Sequence, residues 1–207
     1  NVRNRYVSDV IELESFSGRY YVSCDYHDEI TLASILREGK TSSLEELCRF
    51  GVSLAIGLQA FHDAGVVYGN LTDENVFIEI GDYSNIPKVR KPSMLTMALS
   101  HPEAYPQGRG YIAPEIRAGG LGSVASDVYS IGIHFVRFVT GKMPYQSDSG
   151  PAAGEGASLR FVTNALLRRG VPVSIVRIAL RCMMADPNSR YRTCAELVSD
   201  IRRAIHE

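Results

Sequence analysis

The stretch ASDVYSIGIHFVRFV at residues 125–139 is apolar on nearly every side. A helix with one polar face can lie on a surface, but one without has to be wrapped by other elements. The chain must therefore fold around this segment, with its other helices as cover. A second helix is predicted over residues 43–64, SLEELCRFGVSLAIGLQAFHDA. Leu44, Leu47, Phe50, Leu54, Leu58 and Phe61 recur there at helical spacing, Ser42 or Ser43 can cap the start, and Gly65 ends it. Gly51 and Gly57 lie inside it and weaken it unless a neighbour packs close.

The rest of the pattern is mixed. Residues 5–13 and 18–24 are rich in β-branched and aromatic side chains and predict a hairpin, with ESFSG as its turn. TLASILREG reads as a short helix, NVFIEI (75–80) as a strand and IPKVR (86–90) as another. Residues 91–112 read as a long loop, and 147–156 as a second, small-residue loop. Three more helices are predicted over 157–169, 172–184 and 193–206.

The 207 residues carry a net charge of −1, which gives the whole chain no general pull toward nucleic acid or a membrane surface. No apolar run approaches a membrane span, and the N-terminus has no signal core. It also lacks Met, which suggests a fragment or a processed product. The four cysteines are scattered, with no metal-ligand spacing, and read as reduced structural thiols. That leans toward a soluble protein of the cytoplasm. From residue 157 on, nine Arg face four acids, a solvated basic face.

This order of elements, with these residues, resembles the large lobe of a eukaryotic-type protein kinase. YVSCDYHDEITLASIL (21–36) is similar to the last small-lobe strand, the hinge and the first large-lobe helix. YGNLTDEN (68–75) is similar to the catalytic-loop pattern H-R-D-L-x-x-x-N, and YIAPEI to the A-P-E that closes an activation segment. SDVYSIGI resembles the start of the central helix, TGKMPY the turn after it, and DPNSRYRTCAEL the last-helix motif with its fixed Arg. The fold class implied is α+β, mainly α-helical: a protein-kinase-like large lobe with a β-hairpin remnant of the small lobe. Residues 1–24 would be that remnant, 25–30 the hinge and 31–207 the large lobe, with an activation-segment-like loop over 91–115.

Within that resemblance the chemistry is degenerate. The catalytic Asp maps onto Asn70, a neutral amide that cannot take a proton. The basic residue two positions on is Thr72, the Arg before the Asp is Gly69, and the His is Tyr68. Asn75 keeps the Mg²⁺ position only as a vestige, because the Asp of D-F-G becomes Lys91, a cation that repels the metal. Cys24 takes the gatekeeper position, Asp25, Tyr26 and His27 the hinge, and Phe77 the floor of an adenine pocket. Two structural roles are implied. Glu115 would pair with Arg190, and Asp127 would accept hydrogen bonds from the backbone around 68–69.

These losses lead to the expectation of a pseudokinase: not an enzyme, but a protein-interaction, scaffold or allosteric module. Its partner would be a protein, either an active kinase or another part of the same polypeptide. No nucleic acid, no membrane insertion and no cofactor are expected; ATP binding would be weak or absent, and independent of metal if present. The alternative is an unconventional Ser/Thr-type protein kinase, or a nucleotide-binding pseudokinase, whose small lobe lies outside this chain.

Overall fold

The computed structural model describes residues 2, 4–8, 10–24, 29–37, 43–69, 71–79, 86–90, 110–144 and 155–206. The fold class is α+β and mainly helical. Strands β1 (Val10–Phe16) and β2 (Arg19–Cys24) form an antiparallel hairpin. Strand β3 (Glu29–Thr31) leads into helix α1 (Leu32–Arg37), and helix α2 (Leu44–Asp63) follows. Strands β4 (Val76–Glu79) and β5 (Ile86–Val89) complete a three-stranded antiparallel sheet in the order β3-β4-β5. Then come α3 (Pro114–Arg117), α4 (Val124–Thr140), α5 (Glu155–Leu167), α6 (Val173–Cys182) and α7 (Cys194–Ile205), with a 3-10 turn at Pro187–Ser189 before the last.

Helix α4 is the centre of the core. Every residue from Ser126 to Val136 is buried, which is what an all-round apolar sequence requires. A reciprocal capping box between Ser123 and Ser126 starts it, and Gly141 ends it. Helices α2 and α6 pack on α4, and α7 packs on α2. The approach of α2 is close. A Cβ at Gly51 would run into the Phe135 ring, and the adjacent Phe50 stacks on Phe138, one turn along from Phe135, with ring centroids 4.3 Å apart. Helix α2 has its own capping box: Glu46 N–H donates to Ser43 Oγ at 3.2 Å, and Ser43 N–H to Glu46 Oε2 at 2.7 Å.

The N-terminal segment departs from its sequence pattern. The first strand starts later and runs on to Phe16, and the turn tightens to Ser17-Gly18, both at positive φ (51° and 75°). Two such residues match the right-handed twist of a two-residue hairpin. Residues 6–8 pair elsewhere. Ser8 N–H donates to the Val89 carbonyl (3.0 Å) and Val89 N–H to that of Tyr6 (2.8 Å), in a parallel bridge that buries Val7 against the core. The open edge of β5 thus takes the residues assigned to the hairpin from sequence alone. Cys48, Cys182 and Cys194 are buried free thiols, and burial raises the pKa of each. Among the described residues, no helix is long and apolar enough to cross a membrane.

Candidate functional site

The site is built where the chain leaves α2 and crosses the start of α4. Asp127, in the first turn of α4, is 1% exposed. Its Oδ2 accepts the Tyr68 backbone N–H and its Oδ1 that of Gly69, both at 2.8 Å. His62, in the last turn of α2, sits with Nε2 2.8 Å from the same Oδ2. One carboxylate thus fixes the loop entry, the end of α2 and the start of α4 to one another. Gly69 has φ +73°, a conformation that side-chain-bearing residues rarely adopt.

Tyr68 is buried against Phe61, and its hydroxyl donates to the Arg90 carbonyl at 2.8 Å. Burial, and then the nearby Asp127 charge, push its phenol pKa far up. It serves as a hydrogen-bond donor, not as an acid. Leu71 is buried, and residues 72–75 make a turn in which Asn75 N–H donates to the Thr72 carbonyl (2.9 Å). The Asn75 carbonyl in turn accepts from Arg90 N–H at 2.9 Å. Phe77 is fully buried, with the Arg90 guanidinium carbon 5.3 Å from its ring centroid.

Among the residues singled out from sequence, Tyr68, Gly69, Thr72, Asn75, Phe77 and Asp127 therefore lie around one loop. Asp25, Tyr26, His27, Asn70 and Lys91 lie outside the described residues, as does most of the loop 91–112; Cys24 closes β2. Glu115 and Arg190 meet at a separate place, joining α3 to the segment before α7.

Sequence reasoning missed Asp73. It is 5% exposed and paired with Arg137 of α4. The signal lay on the helix. His134 and Arg137 stand one turn apart on a segment buried almost all round, and such groups require a polar partner. His134 is fully buried, and burial drives its pKa below the ordinary 6.5, although the Asp73 charge opposes this. A histidine whose folded pKa is depressed stabilises the fold above the unfolded value. That contribution fades as pH falls from about 6.5 toward the folded value. Between pH 7.5 and 5.5 the stability of the wild-type chain should therefore drop faster than that of His134→Leu. Urea unfolding at three pH values checks this, and parallel curves would refute it.

Among the described residues, no group of three or more His, Cys, Asp or Glu side chains is placed to hold a metal ion. Asp127 is committed to two amides and His62, and one Asp73 oxygen to Arg137. Asn75, the residue at the expected metal position, could offer a hard cation its amide oxygen but no charge.

Comparison with known proteins adds the following. The protein kinase domain family profile matches residues 1–200. A probable serine/threonine-protein kinase of Clostridium perfringens is 23% identical over 205 residues, covering 98% of this chain and 30% of that protein. Serine/threonine-protein kinase PrkC of Bacillus subtilis is 23% identical over 202 residues, covering 96% of this chain and 31% of its own. The chain thus spans about a third of the length of these relatives. The kinase domain of Mycobacterium tuberculosis PknI superposes with a TM-score of 0.75 at 18% identity, over 97% of this chain and 72% of that one. The expectation that the chain is not an enzyme is overturned by these relatives, which are named serine/threonine-protein kinases. The physical reason is that phosphoryl transfer rests mainly on positioning and charge stabilisation. An amide in place of an acid in the loop would remove one contribution and leave the frame.

Proposed function

The chain belongs to the protein kinase domain family, and from that membership we propose that it is a serine/threonine-type protein kinase domain of unconventional chemistry. Residues 1–24 would be the last strands of its small lobe, 25–30 the hinge and 31–207 the large lobe. The glycine-rich loop and its Lys would come from outside these residues. The observation that supports this reading most is the seat of the loop at 68–69. Asp127 holds both amides although the loop carries no catalytic acid. A buried carboxylate bonded in this way fixes the loop backbone, and fixed geometry is what a mechanism of positioning needs.

In this reading Asn70 orients the attacking hydroxyl by accepting its hydrogen bond and takes no proton; as the new P–O bond forms and the bond to the leaving ADP oxygen breaks, the hydroxyl proton passes to an oxygen of the transferring phosphoryl group. Basic side chains, Lys91 among them, hold the nucleotide phosphates in place of a metal. The substrate is a protein hydroxyl, so the partners are proteins.

The test is a thermal-shift titration of the protein with ATP, with and without Mg²⁺, followed by transfer of labelled γ-phosphate to serine- and threonine-bearing protein. A ligand that binds the native state raises the melting temperature once its concentration exceeds the dissociation constant. The expected result is a shift that needs no metal, and label on the hydroxyl residues. Neither shift nor label would remove the reading. A shift only with Mg²⁺ would remove its metal-free part.

A further inference from the structure

Beneath the turn at 72–75 lies a charged knot that the family match does not explain. Arg137 donates through Nε to Asp73 Oδ2 at 3.0 Å, and through Nη2 to the same oxygen. Its Nη1 reaches the Gly141 carbonyl at 3.3 Å. The other Asp73 oxygen, Oδ1, faces His134 Nε2 at 3.5 Å, and neither atom has a hydrogen-bond partner. His134 Nδ1 lies 2.7 Å from the Ser130 carbonyl, which can only accept, so Nδ1 carries the hydrogen. In the neutral ring, Nε2 then presents a lone pair to a carboxylate oxygen. Buried polar atoms are seldom left in this state, and those that are call for an explanation.

The position of Asp73 is therefore not set by its fit to His134. It is set by Arg137, by the Tyr111 side chain, which interacts with both Asp73 and Arg137, and by the backbone that Asp73 belongs to. The Asp73 carbonyl accepts from Ala33 N–H of α1 at 3.3 Å, which holds the turn from the other side. Tyr111, where the long loop ends, lies against His134 with ring centroids 4.8 Å apart, and its carbonyl accepts from Ser130 Oγ at 2.8 Å. Four pieces of chain meet around Asp73: the catalytic-like loop, α1, α4 and the end of the loop that precedes α3.

We infer that Asp73 is the positioning residue of this loop, and that its ion pair with Arg137 holds the turn carrying Asn75 on α4. This deepens the phosphotransfer reading and rests on it for its functional meaning. Asp73 touches no substrate; it acts through the backbone it anchors. Because only 5% of the residue is exposed, it does not replace the missing acid at position 70.

The test measures backbone amide hydrogen exchange in the chain and its variants, over residues 66–76 and over α7 as an internal control. Asp73→Ala and Arg137→Met should each speed exchange of the loop amides by about tenfold or more while α7 keeps its protection. Arg137→Lys keeps the charge and should restore most of the protection. Arg137 is partly exposed, with 20% of its side chain accessible, so its variants are expected to fold even if Asp73→Ala does not. Unchanged loop exchange would overturn the inference. So would equal acceleration in α7, which would mark the knot as core packing, or a Lys variant no better than Met. None of these readouts needs turnover, so a chain that transfers no phosphate would remove the functional reading and leave the anchoring result standing.

Discussion

Replacing Arg190 with methionine should destabilise the fold by about 3–5 kcal/mol, the range for breaking a buried charged pair from one side. In a chain of this size that lowers the melting temperature by about 10 °C. The Arg190 side chain is fully buried, and all its donors are used. Nε donates to the Met184 carbonyl at 2.6 Å. Nη1 reaches Glu115 Oε1 (2.7 Å) and the Ala125 carbonyl (2.9 Å), and Nη2 reaches Glu115 Oε2 (2.8 Å) and the Ala185 carbonyl (3.0 Å). The guanidinium also lies over the Tyr129 ring at 4.9 Å. Methionine can fill much of the volume but leaves three carbonyls and a carboxylate without their donor.

The reverse change should cost less. Glu115 is 23% exposed at its side chain, so water can reach part of what Glu115→Gln vacates, and Arg190 keeps its three carbonyls. A loss of about 2 kcal/mol is expected. In the double variant the two losses should not add, because both remove the same pair. Denaturant unfolding of the three variants decides the matter. Equal costs for the two single changes, or full additivity, would show that the pair is not what holds α3 to the last helices.

The helical part of this architecture was legible because its signals are local. The apolar run of α4, the serine caps and the spacing along α2 each follow from a few neighbouring residues. The parts that were missed depend on distant partners. Strand β3 is three residues long and exists because Glu29–Thr31 pair with Phe77–Glu79; no alternation can be read in so short a piece. The first strand was misplaced because Val7 fits a strand equally well beside β2 or beside β5. At the site, attention to absent residues hid a present one. An acid in a turn is normally solvated, and nothing adjacent to Asp73 in sequence says that it turns inward. The cue was Arg137, some sixty residues away on a helix with no room for an unpaired charge.

Asp127→Ala should be as costly as the loss of Arg190, about 3–5 kcal/mol, and should be felt at the site as well as in the fold. The change strands the Tyr68 and Gly69 amides and removes the partner of His62, whose side chain is 4% exposed. Each buried group left without its partner costs about 1–3 kcal/mol. Asp127→Asn separates charge from geometry. Asparagine keeps one acceptor oxygen, but its amide group would point a donor at another donor, so roughly half of the seat is lost. The expected order of stability is wild type, then Asn, then Ala. If the protein transfers phosphate, the rate should fall about 100-fold in the alanine variant, because a loop displaced by about an ångström loses alignment of the reacting groups. ATP affinity should change much less, since Asp127 is buried beneath the loop and offers a ligand almost no surface. An asparagine variant as stable as wild type would show that the carboxylate is not needed at the seat. An alanine variant that loses stability but keeps its full rate would show that the seat holds the fold alone.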